Sequence, residues 1–99
     1  MSNAQQRLVE DEVLLATETA YWLLVQAKEE IKLEQQVKKQ LASHYTFLNN
    51  QFGAGLIYKN DVLRAKVLQN ENEARLQAAE NKLILAKRRL SQLIGMEDP

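Results

Sequence analysis

The chain has 99 residues, no cysteine, and 13 basic and 13 acidic side chains, so its formal net charge at neutral pH is zero. This length allows one domain, the balanced charge gives no reason to expect a nucleic-acid partner, and the lack of cysteine excludes disulfides and thiolate metal sites. The longest apolar run, residues 20–25, is far shorter than the roughly 18 residues that a membrane-spanning helix needs.

The first half of the chain predicts one uninterrupted helix over about residues 5–52, because it contains neither glycine nor proline. Residues 1–4 are interpreted as a cloning remnant. Apolar residues recur at steps of three or four, which is the helical period, and polar Glu34 fills the one gap in this seam. Around residues 13–25 the apolar positions spread beyond one stripe, so we expect neighbours on two sides. The predicted seam is Ala20, Leu24, Ala27, Ile31, Val37, Leu41, Tyr45, Leu48 and Phe52.

Two of the three glycines, Gly53 and Gly55, follow this helix closely. Glycine adopts positive φ without steric cost, so we expect these residues to end the first helix and to reverse the chain in a turn over about residues 53–60. Asn60 is the predicted N-cap of a second helix. Asp61 then places a carboxylate in the first turn, where the helix dipole favours negative charge.

Residues 61–94 predict the second helix, whose apolar residues follow a heptad pattern. Leu68 enters this pattern through one extra four-residue step, which predicts a stutter. Gly95 is expected to stop the helix, which leaves residues 96–99 as a tail. The predicted fold is therefore all-α, a long antiparallel two-helix coiled-coil hairpin over residues 5–95. The second seam is Ala65, Leu68, Asn72, Leu76, Ala79, Leu83, Ala86, Leu90 and Leu93.

A turn centred near Leu56 and Ile57 predicts the register of the two helices, and it places Leu24 near Arg89 and Ile31 near Lys82. With that register the pairing ends near Glu18. The apolar residues before Glu18 would overhang, and they need cover from another chain or from a missing part of the parent protein. We therefore expect the chain to self-associate as a dimer or a higher oligomer.

No catalytic, cofactor-binding or metal site is predicted. His44 is the only histidine and has no second histidine or cysteine to accompany it, so we expect it on a helix surface. The Gly-x-Gly at Gly53 and Gly55 follows a helix rather than a strand, and it lacks the context of a dinucleotide-binding loop. An enzyme is not expected.

Three strings combine in one order along the chain: Phe-Gly-Ala-Gly-Leu at residues 52–56, Asp-Val-Leu-x-Ala at residues 61–65, and Leu-x-x-Leu-Ile-Gly at residues 90–95. Between the second and third strings lies a long helix rich in Ala, Leu, Glu and Gln, and the first helix carries an aromatic pair at Tyr21 and Trp22. In this combination the chain resembles the TolC-like outer membrane efflux protein family.

The resemblance implies a periplasmic hairpin of a Gram-negative outer membrane protein that acts in multidrug efflux or type I secretion. Members of the family are trimers whose hairpins form a tunnel across the periplasm. Their tips meet a periplasmic adaptor, which links the tunnel to an inner-membrane pump. By position, Ala54, Gly55 and Leu56 match the adaptor-docking tip, and Asn60 and Asp61 match the helix start near the tunnel entrance.

Two other interpretations stay open. The α-hairpin of a membrane-fusion adaptor has similar arms, but it usually carries an Arg/Leu/Ser set around its tip. Here Arg89, Leu90 and Ser91 lie far from the turn. A generic coiled-coil interaction module would differ from both in having no preferred partner at the tip.

Overall fold

The computed structural model describes residues 3–97 as two helices, α1 (Asn3–Gly53) and α2 (Lys59–Glu97), which pack against each other as a helical hairpin. The predicted all-α antiparallel hairpin is therefore confirmed, and no strand occurs within residues 3–97. The ends of the predicted remnant and tail, residues 1–2 and 98–99, lie outside the described residues. Gly95 was wrongly predicted to stop α2, since the helix continues to Glu97. A glycine inside a helix costs about 1 kcal/mol but does not break it.

The hairpin divides into two compact units, each containing a segment of both helices. The terminal unit comprises Met1–Glu29 and Glu80–Pro99, of which residues 3–29 and 80–97 are described. The turn unit comprises Glu30–Ala79 and includes the connection between the helices.

The seam of α1 agrees with its prediction at most positions. Ala20 and Ala27 are buried, and their small side chains allow the backbone of the partner helix to come close. Glu34 is half-buried in the gap between the apolar positions, as predicted. Phe52 departs from the prediction because it is exposed, whereas Gln51 is half-buried beside it.

The seam of α2 is a regular heptad pattern, and the predicted stutter is wrong. Leu68 is 46% exposed, whereas Gln69 is half-buried in the seam. Gln69 lies four residues after buried Ala65. The helical period therefore turns this polar side chain toward α1 and leaves the apolar side chain of Leu68 exposed. The most covered positions of α2 alternate steps of three and four throughout: Val62, Ala65, Gln69, Asn72, Leu76, Ala79, Leu83, Ala86, Leu90 and Leu93.

The predicted register is wrong by one to two helical turns in the turn unit. Asn72 and Arg75 contact Glu34, which lies one turn from Ile31, the residue that the predicted register places near Lys82. The prediction assumed an equal rise per residue on both sides of the turn. A non-helical residue can advance the chain by more than the 1.5 Å of a helical residue, so residues 54–58 carry the returning chain farther along α1.

The overhang is correspondingly shorter than predicted. In the terminal unit Leu93 is 3% exposed and Val13 is half-buried, so covered seam positions extend beyond Glu18. The exposed apolar residues of α1 before Glu18 remain as predicted at four positions, which are Leu8, Val9, Leu14 and Leu15.

Candidate functional site: the turn of the hairpin

Helix α1 ends in a Schellman motif built around Gly55. The amide of Leu56 donates to the carbonyl oxygen of Gln51 and the amide of Gly55 donates to that of Phe52, each over 2.9 Å. This pair of bonds satisfies carbonyl groups that the end of a helix leaves free, and it requires a left-handed residue between them. Gly55 supplies that conformation with a φ of 76°.

The two glycines of the turn therefore differ in role, although the sequence predicted both to end α1. Gly53 is the last residue of the helix, and a Cβ atom built there meets no atom within 4 Å. A Cβ atom on Gly55 also finds open space, but its positive φ is a conformation that L side chains rarely adopt. Only Gly55 is required by the backbone.

Helix α2 begins earlier than its sequence predicts. It starts at Lys59, and the amide of Asp61 donates to the carbonyl oxygen of Tyr58 over 3.1 Å. The predicted N-cap at Asn60 is wrong, because Asn60 already lies inside the first helical turn. Tyr58, the residue before the helix, stands at the N-cap position, and its main-chain carbonyl accepts from the first-turn amide of Asp61. Asp61 lies in the first turn as predicted and is half-buried there.

The turn presents an apolar surface, which we call the tip surface: Leu56, Tyr58 and the groove along the start of α2. Leu56 is 70% exposed and Tyr58 is 83% exposed. The groove is shallow and open, with a volume of about 500 Å³, and is lined by Asn60, Leu63, Arg64, Val67 and Leu68. Such a surface can bind a partner by burying apolar side chains.

The described residues contain no group of three or more His, Cys, Asp or Glu side chains that could hold a metal ion. His44 is exposed on α1, in agreement with its prediction. Neither helix, over its described length, contains a segment long and apolar enough to cross a membrane.

Sequence reasoning missed a polar layer formed by Glu34, Asn72 and Arg75. The side-chain amide of Asn72, which is 1% exposed, donates to the main-chain oxygen of Glu34 over 3.1 Å and to its carboxylate over 2.8 Å. Arg75 Nε donates to both oxygens of the same carboxylate over 3.3 and 3.2 Å. The sequence places Glu34 and Asn72 on the two predicted seams, but the predicted register does not set them opposite each other.

A second apolar surface lies in the terminal unit and matches the wide apolar arc predicted from the sequence. We call it the arc surface; Trp22 is 66% exposed on it, and the Tyr21 ring meets the Trp22 ring edge-on with centroids 5.8 Å apart. Two shallow grooves lie beside Leu23 on the same unit. Leu15 and Leu23 are also exposed in this unit.

No protein-family model matches this chain, and neither does a curated protein or a solved structure. The turn geometry and the two exposed apolar surfaces are therefore the observations that bear on function.

Proposed function

We propose that this hairpin is the periplasmic segment of an outer membrane efflux channel, without enzymatic activity, and that its tip docks a periplasmic adaptor. One observation carries the proposal: the Schellman motif presents exposed Leu56 directly after left-handed Gly55. These are two of the three residues at which the resemblance implies adaptor docking. Ala54, the third, is exposed beside them.

The shape of the turn suits a close helical contact. Because Gly55 has no side chain and open space surrounds its Cα, a partner can approach the backbone there. Leu56 and Tyr58 then offer apolar area to a partner groove, while Asp61 sits at the helix start, where the resemblance places a residue of the tunnel entrance. Binding of this kind gains free energy mainly from burial of the leucine and tyrosine side chains.

The arc surface supports the second part of the proposal, which is association between copies. Leu15, Tyr21 and Trp22 are all exposed large apolar side chains in the terminal unit. Their burial against a neighbouring chain accounts for self-association of this chain and for the trimer of the parent channel. The tip remains available for the adaptor and, through it, for an inner-membrane pump.

The test is binding to a panel of periplasmic adaptor hairpins by isothermal titration calorimetry. Leu56→Ala should weaken binding about tenfold or more, because burying a leucine side chain is worth about 1.5–3 kcal/mol. The matched control is Leu85→Ala, which removes a leucine of similar exposure, 62%, from the terminal unit. Circular dichroism must show equal helicity for both variants.

A second variant, Gly55→Asn, separates backbone approach from turn geometry. Asparagine enters the left-handed region at small cost, so the turn should persist while a side chain blocks the approach. Loss of adaptor binding with an intact turn supports docking at Gly55. Equal binding by the parent chain and Leu56→Ala would contradict the proposal, and failure of every adaptor hairpin to bind would favour a generic coiled-coil module.

A further inference from the structure

We infer that the polar layer of Glu34, Asn72 and Arg75 selects a single pairing of α1 with α2, in one register and with one partner helix. This inference is independent of the proposed docking at the tip. The amide of Asn72 is nearly fully buried in a seam whose other most buried residues in the turn unit, Ala65 and Ala79, are apolar.

The apolar seam alone does not distinguish one register from the next. From Val62 to Leu93 the covered positions of α2 follow one unbroken heptad pattern. If α2 slides by one heptad, about 10 Å along the helix, its seam residues therefore face the partner helix again. An apolar seam of this kind can also pair with a like helix from a second copy of the chain.

The polar layer penalises each of these alternatives. A slide of α2 by one heptad toward the turn sets Asn72 against Leu41. In that register the Asn72 amide no longer reaches the Glu34 carboxylate, which is its acceptor in the structure. Pairing α2 with a second α2 buries Asn72 without any Glu34, and pairing two α1 helices leaves Glu34 without its donors Asn72 and Arg75. A buried polar group without a partner is costly, whereas the satisfied pair adds little stability over an apolar one. Selectivity is thus the main contribution of the layer.

Spin-label distance measurements on the full chain test this inference. The chain contains no cysteine, so Ala42→Cys and Asn70→Cys introduce two unique label sites. Both residues are exposed and line one small cavity between the helices of the turn unit. The parent sequence with these labels should give one short distance. Adding Glu34→Leu and Asn72→Leu removes the polar layer from the seam, and the single distance should be lost in favour of two or more.

Dilution with unlabelled copies of the same variant identifies the new arrangement. If the helices have slid within one chain, the new distance signal persists on dilution. If helices have paired between chains, that signal decreases. Either result supports the inference. The control Leu41→Ile with Leu76→Ile makes two seam substitutions without touching the polar layer, and it should keep one distance. A single unchanged distance in the Glu34→Leu, Asn72→Leu variant would overturn the inference. If circular dichroism finds that variant unfolded, Asn72→Ala is measured in its place, with the same outcomes.

Discussion

The terminal unit and the turn unit use the same heptad pattern in different ways. In the terminal unit the buried residues are apolar, at Ala20, Ala27 and Leu93, while large apolar side chains such as Trp22 remain outside. In the turn unit the seam holds a polar layer, and its most buried side chain is the amide of Asn72. An apolar seam contributes stability, and a polar one contributes specificity, so the two units should respond differently to comparable substitutions.

The largest effect is expected in the terminal unit. Leu93→Ala should lower the free energy of unfolding by about 2–5 kcal/mol, because it removes buried methyl groups and leaves a cavity. Leu85→Ala is the matched control, since Leu85 is exposed, and it should cost about 0.5 kcal/mol or less. Urea denaturation followed by circular dichroism measures both. Equal losses in the two variants would show that the seam of α2 is not where the structure places it.

A smaller loss is expected from the polar layer of the turn unit. Asn72→Ala should lower the free energy of unfolding by about 1–3 kcal/mol, since the carboxylate of Glu34 loses its amide donor and stays half-buried. The same urea experiment applies, with Asn70→Ala on the exposed face as the control. If Asn72→Ala is as stable as the parent chain, the hydrogen bonds from Asn72 to Glu34 contribute no more to stability than hydrogen bonds from water would.

The two turn glycines should respond in opposite directions. Gly55→Ala should destabilise the hairpin by about 1–2 kcal/mol, because alanine is strained at a φ of 76°. Gly53→Ala should stabilise it by about 0.4–1 kcal/mol, because it lies in α1 with free space around the new methyl group. Thermal unfolding of the two variants side by side provides the measurement, and shifts of the same sign would contradict the Schellman assignment.

The smallest effect on folding is expected at the arc surface. Trp22→Ser removes an exposed side chain and should change the free energy of unfolding by about 0.5 kcal/mol or less in dilute solution. Its effect should instead be on association: sedimentation equilibrium should show a lower average mass than for the parent chain. Leu33→Ser, at an exposed position of the turn unit, should leave that mass unchanged. A parent chain that stays monomeric at high concentration would remove the role proposed for this surface.

The sequence predicted those features that follow from local chemistry. The helical period identified Ala20, Ala27 and Leu93 as seam residues, and the conformational freedom of glycine placed the chain reversal at Gly55. Both features follow from the 3.6-residue repeat and from backbone sterics, and these depend only on residues that are close together in the sequence.

Features that depend on the second helix were predicted less well. Apolar character favoured Leu68 over Gln69, but the phase set by Ala65 decides which of them faces α1. The contact between Glu34 and Asn72 depends on how far the turn advances the chain, and this distance cannot be read from residue types. The start of α2 was also missed, since the helix already begins at Lys59 and Tyr58, rather than Asn60, stands at the N-cap position.

The left-handed backbone at Gly55 restricts which sequences can carry this turn. Most side chains disfavour this conformation, whereas asparagine accepts it at small cost. Among natural variants that keep the turn, position 55 should therefore hold glycine and occasionally asparagine. Position 53, two residues away, should drift toward alanine and other good helix formers. The residues found at these two positions in natural variants would then follow from the hydrogen-bond pattern of this one turn.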